Sequence, residues 1–454
     1  MPRPPARHAT PKPTPAPVPP KAPANRGRLA ILVVGLASVV IGGVHLARTG
    51  PLGFARGAVE AREFDSALAW LETASNWRGD EAEIEYLRAR CHRQNGDAER
   101  FQAALVRAAK LGFPKDRLEK EQWLFLAQTG RMDLVESRIP ELLETAGDDA
   151  PSVCEAVVNG LLLNFRHGEA FTVVDSWARD YPADPLPEEI RARILFSVNR
   201  SADAEAAFRK ALEIQPSSAS TKLRLAELLI ATRRPRDAIP LLAGLDRIPA
   251  TRSQALLRSA QCRRMLGEPD QAAALLDGIS SDNQLSEGEL LFERGSIALD
   301  TGRATEAEEL LRKALDANPR SVDRRTAWVR ALRLAGRMDE LSKESRKLAE
   351  IQRKLTEARH LEDRLTTDPA DTELRYRIGA LYLEFGDPEL GVGWLNSVLF
   401  RDPNHLASLR ALIAHHESDS RAGASRSAIA AALRERLRKA EGAAPADAAP
   451  SKSR

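Results

Sequence analysis

Apolar residues in this chain recur three and four positions apart over most of its length, the spacing that lines one face of an α-helix. The pattern restarts about every 34 residues: Ala170, Ala204, Ala238 and Ala272 are each 34 apart, and Ala307 follows after 35. An apolar side chain sits four residues after each of them, at Val174, Phe208, Leu242, Leu276 and Leu311. Pro182 and Pro216 are also 34 apart, as are Gly96 and Gly130, and again Gly302 and Gly336. The clearest units read NRSADAEAAFRKALEIQP (199–216) and TGRATEAEELLRKALDANP (301–319). GDPELGVGWLNSVLFRDP (386–403) repeats their layout with Gly391 in the small place. The small side chain lets a neighbouring helix approach closely, and the closing Pro cannot continue a helix. A period of this length predicts an all-α chain of stacked helix pairs, one pair per repeat.

These motifs closely resemble the tetratricopeptide repeat (TPR), a 34-residue antiparallel helix pair. The resemblance covers about residues 48–419, or about ten units starting near 48, 82, 116, 151, 185, 219, 253, 288, 322 and 372. It implies a right-handed superhelix, an α-solenoid, in which each pair buries its apolar face against the next. Ala89, Val158, Ala192, Ala226, Ala260, Gly295 and Gly379 are the inner residues of the first helices. Before residue 150, Phe101 and Val135 stand where a small Ala belongs.

In the resembling family the first helices line a concave groove that grips extended peptides or helices of partner proteins. The groove positions fall here on Tyr86, Arg90, Asn159, Arg193, Phe196 and Glu227, and further along on Gln261, Arg264, Phe292, Arg330 and Arg333. Arg outnumbers acid among them, which points to an acidic or carboxylate-bearing partner segment. The Lys/Asn set with which some relatives clamp a chaperone tail is not found.

The ninth unit departs from the pattern. Leu341 occupies the small place, Ser345 stands where an apolar residue belongs, and the helical pattern runs on over about 339–365 with no closing Pro. Leu348, Ile351, Leu355, Ala358 and Leu365 follow a heptad-like spacing interrupted by Glu362. Two readings stay open: an extended second helix packed on its neighbours, or a short coiled-coil contact with a partner. Either way a change of direction is expected near 340–370. NHLASLRALIAHHE (404–417) reads as a helix covering the last repeat, and residues 420–454 as a basic amphipathic helix (425–442) with a disordered tail. Ile429, Leu433 and Leu437 share one side of that helix, which suits docking on the array, on lipid or solvation.

Charge is uneven along the chain. Residues 1–28 hold ten prolines and six Lys or Arg with no acid, and read as a disordered cytoplasmic tail. Leu29–Ala47, LAILVVGLASVVIGGVHLA, has no charged residue over 19 positions. At about 1.5 Å per residue it spans a bilayer core, so it reads as a transmembrane helix. It is longer than a secretory apolar region, which favours an uncleaved single-pass anchor. The basic residues before it put the N-terminus in the cytoplasm and everything after residue 48 across the membrane. Ser38 and Gly42 offer a small-xxx-small spacing for helix pairing, and the oligomeric state stays open.

Past residue 28 the chain carries 61 basic against 64 acidic residues, so no general field attracts nucleic acid. Aromatics are only 5%, too few for base-stacking platforms. Cys91, Cys154 and Cys262 form no CxxC pair and read as buried helix thiols. Phosphate-loop, HExxH, GxSxG and dinucleotide motifs are missing, so no enzyme, cofactor or metal is expected. His415, His416 and Glu417 are adjacent, whereas metal ligands on a helix want i,i+3 or i,i+4 spacing. The expected function is a membrane-anchored scaffold that binds partner polypeptides in the groove. The alternative is an extracytoplasmic holdase or assembly factor for exported clients.

Overall fold

The computed structural model describes residues 50–443 except 80, 280–284, 366, 369 and 419–423. The predicted tail (1–28), transmembrane segment (29–47) and chain end beyond Ala443 lie outside the described residues. Among those described, every element is helical, and no helix is long and apolar enough to cross a membrane. The described residues form two compact units, divided between Leu118 and Glu119.

In the first unit a helix over 50–60 pairs with Phe64–Arg78, and Ala82–Gln94 pairs with Ala98–Lys110. Lys115–Gln128 begins at its end and continues into the second unit. There, Ala150–Leu163 pairs with His167–Asp180, Leu186–Ser197 with Ser201–Ile214, and Ala219–Ala231 with Pro235–Leu242. Next come Arg252–Met265 with Pro269–Asp277, Glu287–Asp300 with Ala304–Ala317, and Val322–Leu334 with Met338–Leu365. Thr372–Phe385 pairs with Pro388–Arg401, and Leu406–Ser418 with Ala424–Ala443. Following Lys115–Gln128 the chain is broken into Met132–Val135, a 3₁₀ turn Glu136–Arg138 and Ile139–Glu144. Pro140, which lacks an N–H, sits in the first turn of the last piece.

The repeat is written into the backbone at the turns. Arg62, Gly96, Gly130, Phe165, Asn199, Arg233, Gly267, Gly302 and Gly336 all have positive φ, at steps of 34 or 35 residues. The residue after each donates its N–H back five positions, as in Asp97 to the His92 carbonyl (2.9 Å) and Arg337 to that of Leu332 (3.0 Å). This closure satisfies a carbonyl at the helix end, and it favours glycine because a Cβ crowds the left-handed region.

The small places are packed as their size demands. Ala170, Ala204, Ala238, Ala272 and Ala307 are all 0% exposed. A Cβ added at Gly391 would lie 2.7 Å from the backbone nitrogen of Leu383, so the facing helices touch through backbone. Buried acids add a second lock between the two helices of a pair. Glu85 is held by Arg88 and by Arg107 at 2.6 Å, and Glu188 by Arg191 at 3.1 Å and Lys210 at 2.7 Å. The same offsets of three and 22 residues recur in both sets.

Met338–Leu365 is 28 residues long, and its buried face is used within the chain. Leu341 and Leu348 join a core with Trp328, Val329 and Leu332, while Leu361 and Leu365 join one with Leu374, Ile378 and Trp394. Its apolar stripe is therefore occupied by neighbouring helices. The side chain of Glu362, where the heptad spacing is interrupted, bonds Tyr382.

Two distant parts of the second unit meet. Phe165, in the turn after Ala150–Leu163, stacks on Trp394 of Pro388–Arg401 at a centroid distance of 3.9 Å and 13° between planes. The Arg166 guanidinium lies 4.5 Å from the centroid of Phe400. Gly393 permits this approach, since a Cβ there would come 2.8 Å from Phe165 and 3.2 Å from the Leu163 carbonyl oxygen. Beside it, Arg375 lies 5.6 Å from the Trp394 centroid and donates to Ser397 Oγ at 3.1 Å. Burial lowers the Arg375 pKa to about 10, and Arg401 pushes the same way. His167 stands edge-on to Phe165 with its Nδ1 buried and unpartnered, and burial lowers its pKa too.

Phe165 holds φ +53°, which is unfavourable for a bulky residue. Strain of this kind persists where surrounding contacts enforce it. Replacing Phe165 with Gly is expected to relax the turn while deleting the stacked ring. An aromatic pair contributes about 0.5–1.5 kcal/mol beyond its buried area. Amide hydrogen exchange should then quicken about tenfold in Pro388–Arg401, with Ala150–Leu163 still protected. Unchanged exchange in both helices would show that the stacking carries no stability.

Leu406–Ser418 and Ala424–Ala443 form a further pair. Leu433 and Leu437 pack with Leu395, Leu399, Leu409 and Leu412, and Arg436 donates to the Pro403 and Leu399 carbonyls at 2.9 and 3.2 Å. Of the three docking options, the terminal helix takes the array. Ile429 differs from its two companions in remaining 39% exposed. One helical turn separates it from Leu433, and among the described residues no helix covers it there.

Candidate functional site: the face of the first helices

In the second unit, first helices of several successive pairs touch. Ala219–Ala231 meets Arg252–Met265, which meets Glu287–Asp300, which meets Val322–Leu334. Second helices of successive pairs approach one another less closely. An array spaced more tightly on one side curves toward that side, so the first helices form its inner face.

Spacing of three to four residues along each first helix carries side chains onto this face. Arg193 and Phe196 are exposed on Leu186–Ser197, and Arg330 and Arg333 on Val322–Leu334. Asn159, Glu227, Gln261, Arg264 and Phe292 are half-buried. Tyr86 and Arg90 belong to the first unit and are described with it below.

Half of this face is already neutralised. Arg258 pairs with Glu227 at 2.9 Å and donates to Gln261 Oε1 at 3.2 Å. Arg264 pairs with Glu293 at 2.5 Å and with Asp300 at 3.1 Å. Glu293 is 1% exposed, and its other carboxylate oxygen has no partner. Coulomb attraction and hydrogen bonds to these acids raise the Arg264 pKa against the desolvation that is the largest effect on it. The bonds of Arg258 to Glu227 and of Arg264 to Glu293 and Asp300 cross from one repeat to the next, while Gln261 is held within its own helix. Phe292 packs beside the core formed by Leu311 and Trp328.

Other cations have no such ties. Arg330 and Arg333 make no ion pair among the described residues. Arg193 is exposed yet ringed by side chains, as expected in a hollow. That crowding lowers its pKa, and the like charge of Arg224 adds to the effect, against opposing Glu189 and Glu155. The inner face thus presents Arg193, Arg224, Arg330 and Arg333 as hydrogen-bond donors in need of acceptors.

Tyr86 and Arg90 line a cavity of about 440 Å³ in the first unit. Tyr86 is only 4% exposed because its ring stacks on Phe113 at 4.2 Å. Arg56, on the wall, forms a two-point bond to Glu83 at 2.8 and 2.7 Å. Arg117 completes the basic side of the cavity.

Residues the spacing alone did not single out are the tying acids Glu293 and Asp300, with Arg258 and Arg224. For Glu293 and Asp300 the signal is an Arg, Arg264, lying 29 and 36 residues earlier, one repeat back. Cys91, Cys154 and Cys262 are buried free thiols, and burial raises the pKa of Cys154 and Cys262 to about 11. Glu417 is engaged by Arg434 at 2.5 Å, and among the described residues no cluster of three or more His, Cys, Asp or Glu could hold a metal ion.

Stacked helix pairs curved around their first helices define a helical-repeat protein of the α-solenoid class. Residues 195–253 and 257–322 each match the tetratricopeptide repeat family, so tetratricopeptide repeats are present over those two stretches. It is 27% identical over 201 residues to cellulose synthase operon protein C of Pseudomonas fluorescens (strain SBW25), covering 41% of this chain and 16% of that protein. The matched stretch thus spans under a fifth of that relative's length. Among solved structures, a human IFIT1 dimer with m7Gppp-AAAA is 13% identical with a TM-score of 0.42, covering 80% of this chain and 88% of that one. YrrB, described as a TPR protein with an unusual peptide-binding site, is 17% identical with a TM-score of 0.21, covering 52% of this chain and 96% of that one.

Proposed function

We propose that this chain is a membrane-anchored scaffold that holds acidic segments of partner polypeptides against the inner face of its second unit. The observation that carries this reading is the division of charge on that face. Glu227 and Arg264 are neutralised within the array, whereas Arg330 and Arg333 are exposed and make no ion pair among the described residues. Unpaired guanidinium groups in a hollow favour carboxylates, which accept two parallel bonds. The apolar run 29–47, with six basic residues before it, supports an anchor whose N-terminus is cytoplasmic and whose repeats lie outside the cytoplasmic membrane.

A membrane-impermeant crosslinker added to spheroplasts tests side and partner together. The chain is expected to be captured with other proteins. Changing both Arg330 and Arg333 to Glu should cut the capture about tenfold, as for the loss of about 1.4 kcal/mol of charge-assisted contact. Equal capture by the double variant would remove the acidic-partner reading, and capture only after permeabilisation would reverse the topology. The second reading, a holdase or assembly factor for exported proteins, rests on the same predicted placement. Folded partners in fixed ratio support the scaffold; a mixed set of unfolded clients supports the holdase.

A further inference from the structure

The first helix pair has an exposed face unlike others in the array. Leu52 and Ala55 turn inward and are buried, while Phe54 is 60% exposed and rests on Trp70 at a centroid distance of 5.0 Å. Trp70 and Trp77 stand seven residues apart on Phe64–Arg78, which puts them on one side of that helix, 40% and 53% exposed. Around them Ser66, Ala69 and Asn76 are exposed and uncharged. Thr73 turns its hydroxyl back to the Ala69 carbonyl oxygen at 3.0 Å. Asp65 and Glu72 lie to one flank. By contrast, exposed faces of second helices elsewhere carry ion pairs, such as Arg209–Glu205 at 2.8 Å and Lys313–Glu309 at 2.6 Å.

We propose that Phe54, Trp70 and Trp77 seat the first helix pair in the interfacial layer of a lipid bilayer. This rests on the anchor argued above. Indole rings combine an apolar body with one N–H donor and favour the boundary between headgroups and acyl chains. Sequence distance agrees. Six residues separate Ala47, the end of the apolar run, from Phe54, and so short a stretch reaches at most about 25 Å. The aromatic face is thereby tethered within reach of the surface the anchor would enter. An uncharged face suits zwitterionic headgroups, which offer no net field to a charged one.

The test uses the full chain reconstituted into phosphatidylcholine vesicles, with or without bromine on the acyl chains near the headgroup. Flotation reports the anchor, and quenching of tryptophan emission reports the docking. Two of the six tryptophans are placed at lipid, so brominated vesicles should lower emission by about a third. Changing both Trp70 and Trp77 to Phe should abolish that loss while the protein still floats. Phe keeps the apolar surface, so folding is expected to survive, and an unchanged melt checks it. If the chain floats and its emission is the same in both lipids, the docking is overturned while the anchor stands. If it fails to float, anchor and docking fall together. Self-association in detergent that is lost in Trp77→Glu, without quenching by lipid, would assign the face to a second copy and overturn the proposal.

Discussion

Ala307→Arg is expected to unfold the pair Glu287–Asp300 and Ala304–Ala317 and to destabilise the second unit by about 4 kcal/mol or more. Ala307 is 0% exposed. Nearby, the helices approach so closely that a Cβ added at Gly295 would lie 2.7 Å from Leu311 Cγ. A guanidinium has neither space nor acceptors there, and leaving water without a partner is what makes the substitution costly. For a unit of more than 300 residues each kcal/mol lowers the melting temperature by roughly 1–2 °C, so a drop of about 6 °C is expected in a circular-dichroism melt. Ala307→Ser, nearly the same size, should stay close to wild type. A melt of the Arg variant that overlays wild type would count against the repeat register itself, since Ala204 and Ala272 occupy the same place in their pairs.

Glu344→Ala should be nearly as damaging, for a different reason. Arg325 is 4% exposed, pairs with Glu344 of Met338–Leu365, and donates to the Pro319 carbonyl oxygen at 2.7 Å, while its Nε has no acceptor. Removing the acid strands a buried charge, which costs about 3–5 kcal/mol. Replacing both partners by apolar residues of similar volume, Arg325→Met with Glu344→Leu, removes charge and counter-charge together and should come out near neutral. Chemical denaturation of the single and double variants measures the contrast. A single variant as stable as the double would mean that water reaches Arg325 in the native protein.

The period was legible because it rests on size. A small residue suits the place where the two helices of a pair approach most closely, and Ala170 to Ala307 repeat it plainly enough to be counted. The turn glycines were legible for the same kind of reason, at Gly96, Gly130, Gly302 and Gly336. The occupant of the equivalent turn position in the intervening pairs was harder to see, because Phe165, Asn199 and Arg233 hold the left-handed conformation without being glycine. Leu341 and Ser345 flagged the ninth pair as different, yet the buried acid beside them, Glu344, carries no local mark of its partner 19 residues earlier. On the inner face, spacing places a side chain on a helix side but does not say what the next repeat sets against it. Arg264 and Arg333 occupy equivalent positions in their helices. One meets Glu293 and Asp300, the other meets no acid, and only the three-dimensional stacking separates them.

The stacking of Phe165 on Trp394 changes what kind of object the second unit is. In an open row each pair depends on its immediate neighbours, so the row can peel from either end, one pair at a time. Joining the turn after Ala150–Leu163 to Pro388–Arg401 converts the stretch between them from a line into a circuit. No pair inside a circuit is terminal, so loss of any one of them breaks the run on both sides. The pairs from 150 to 401 should therefore share one unfolding event.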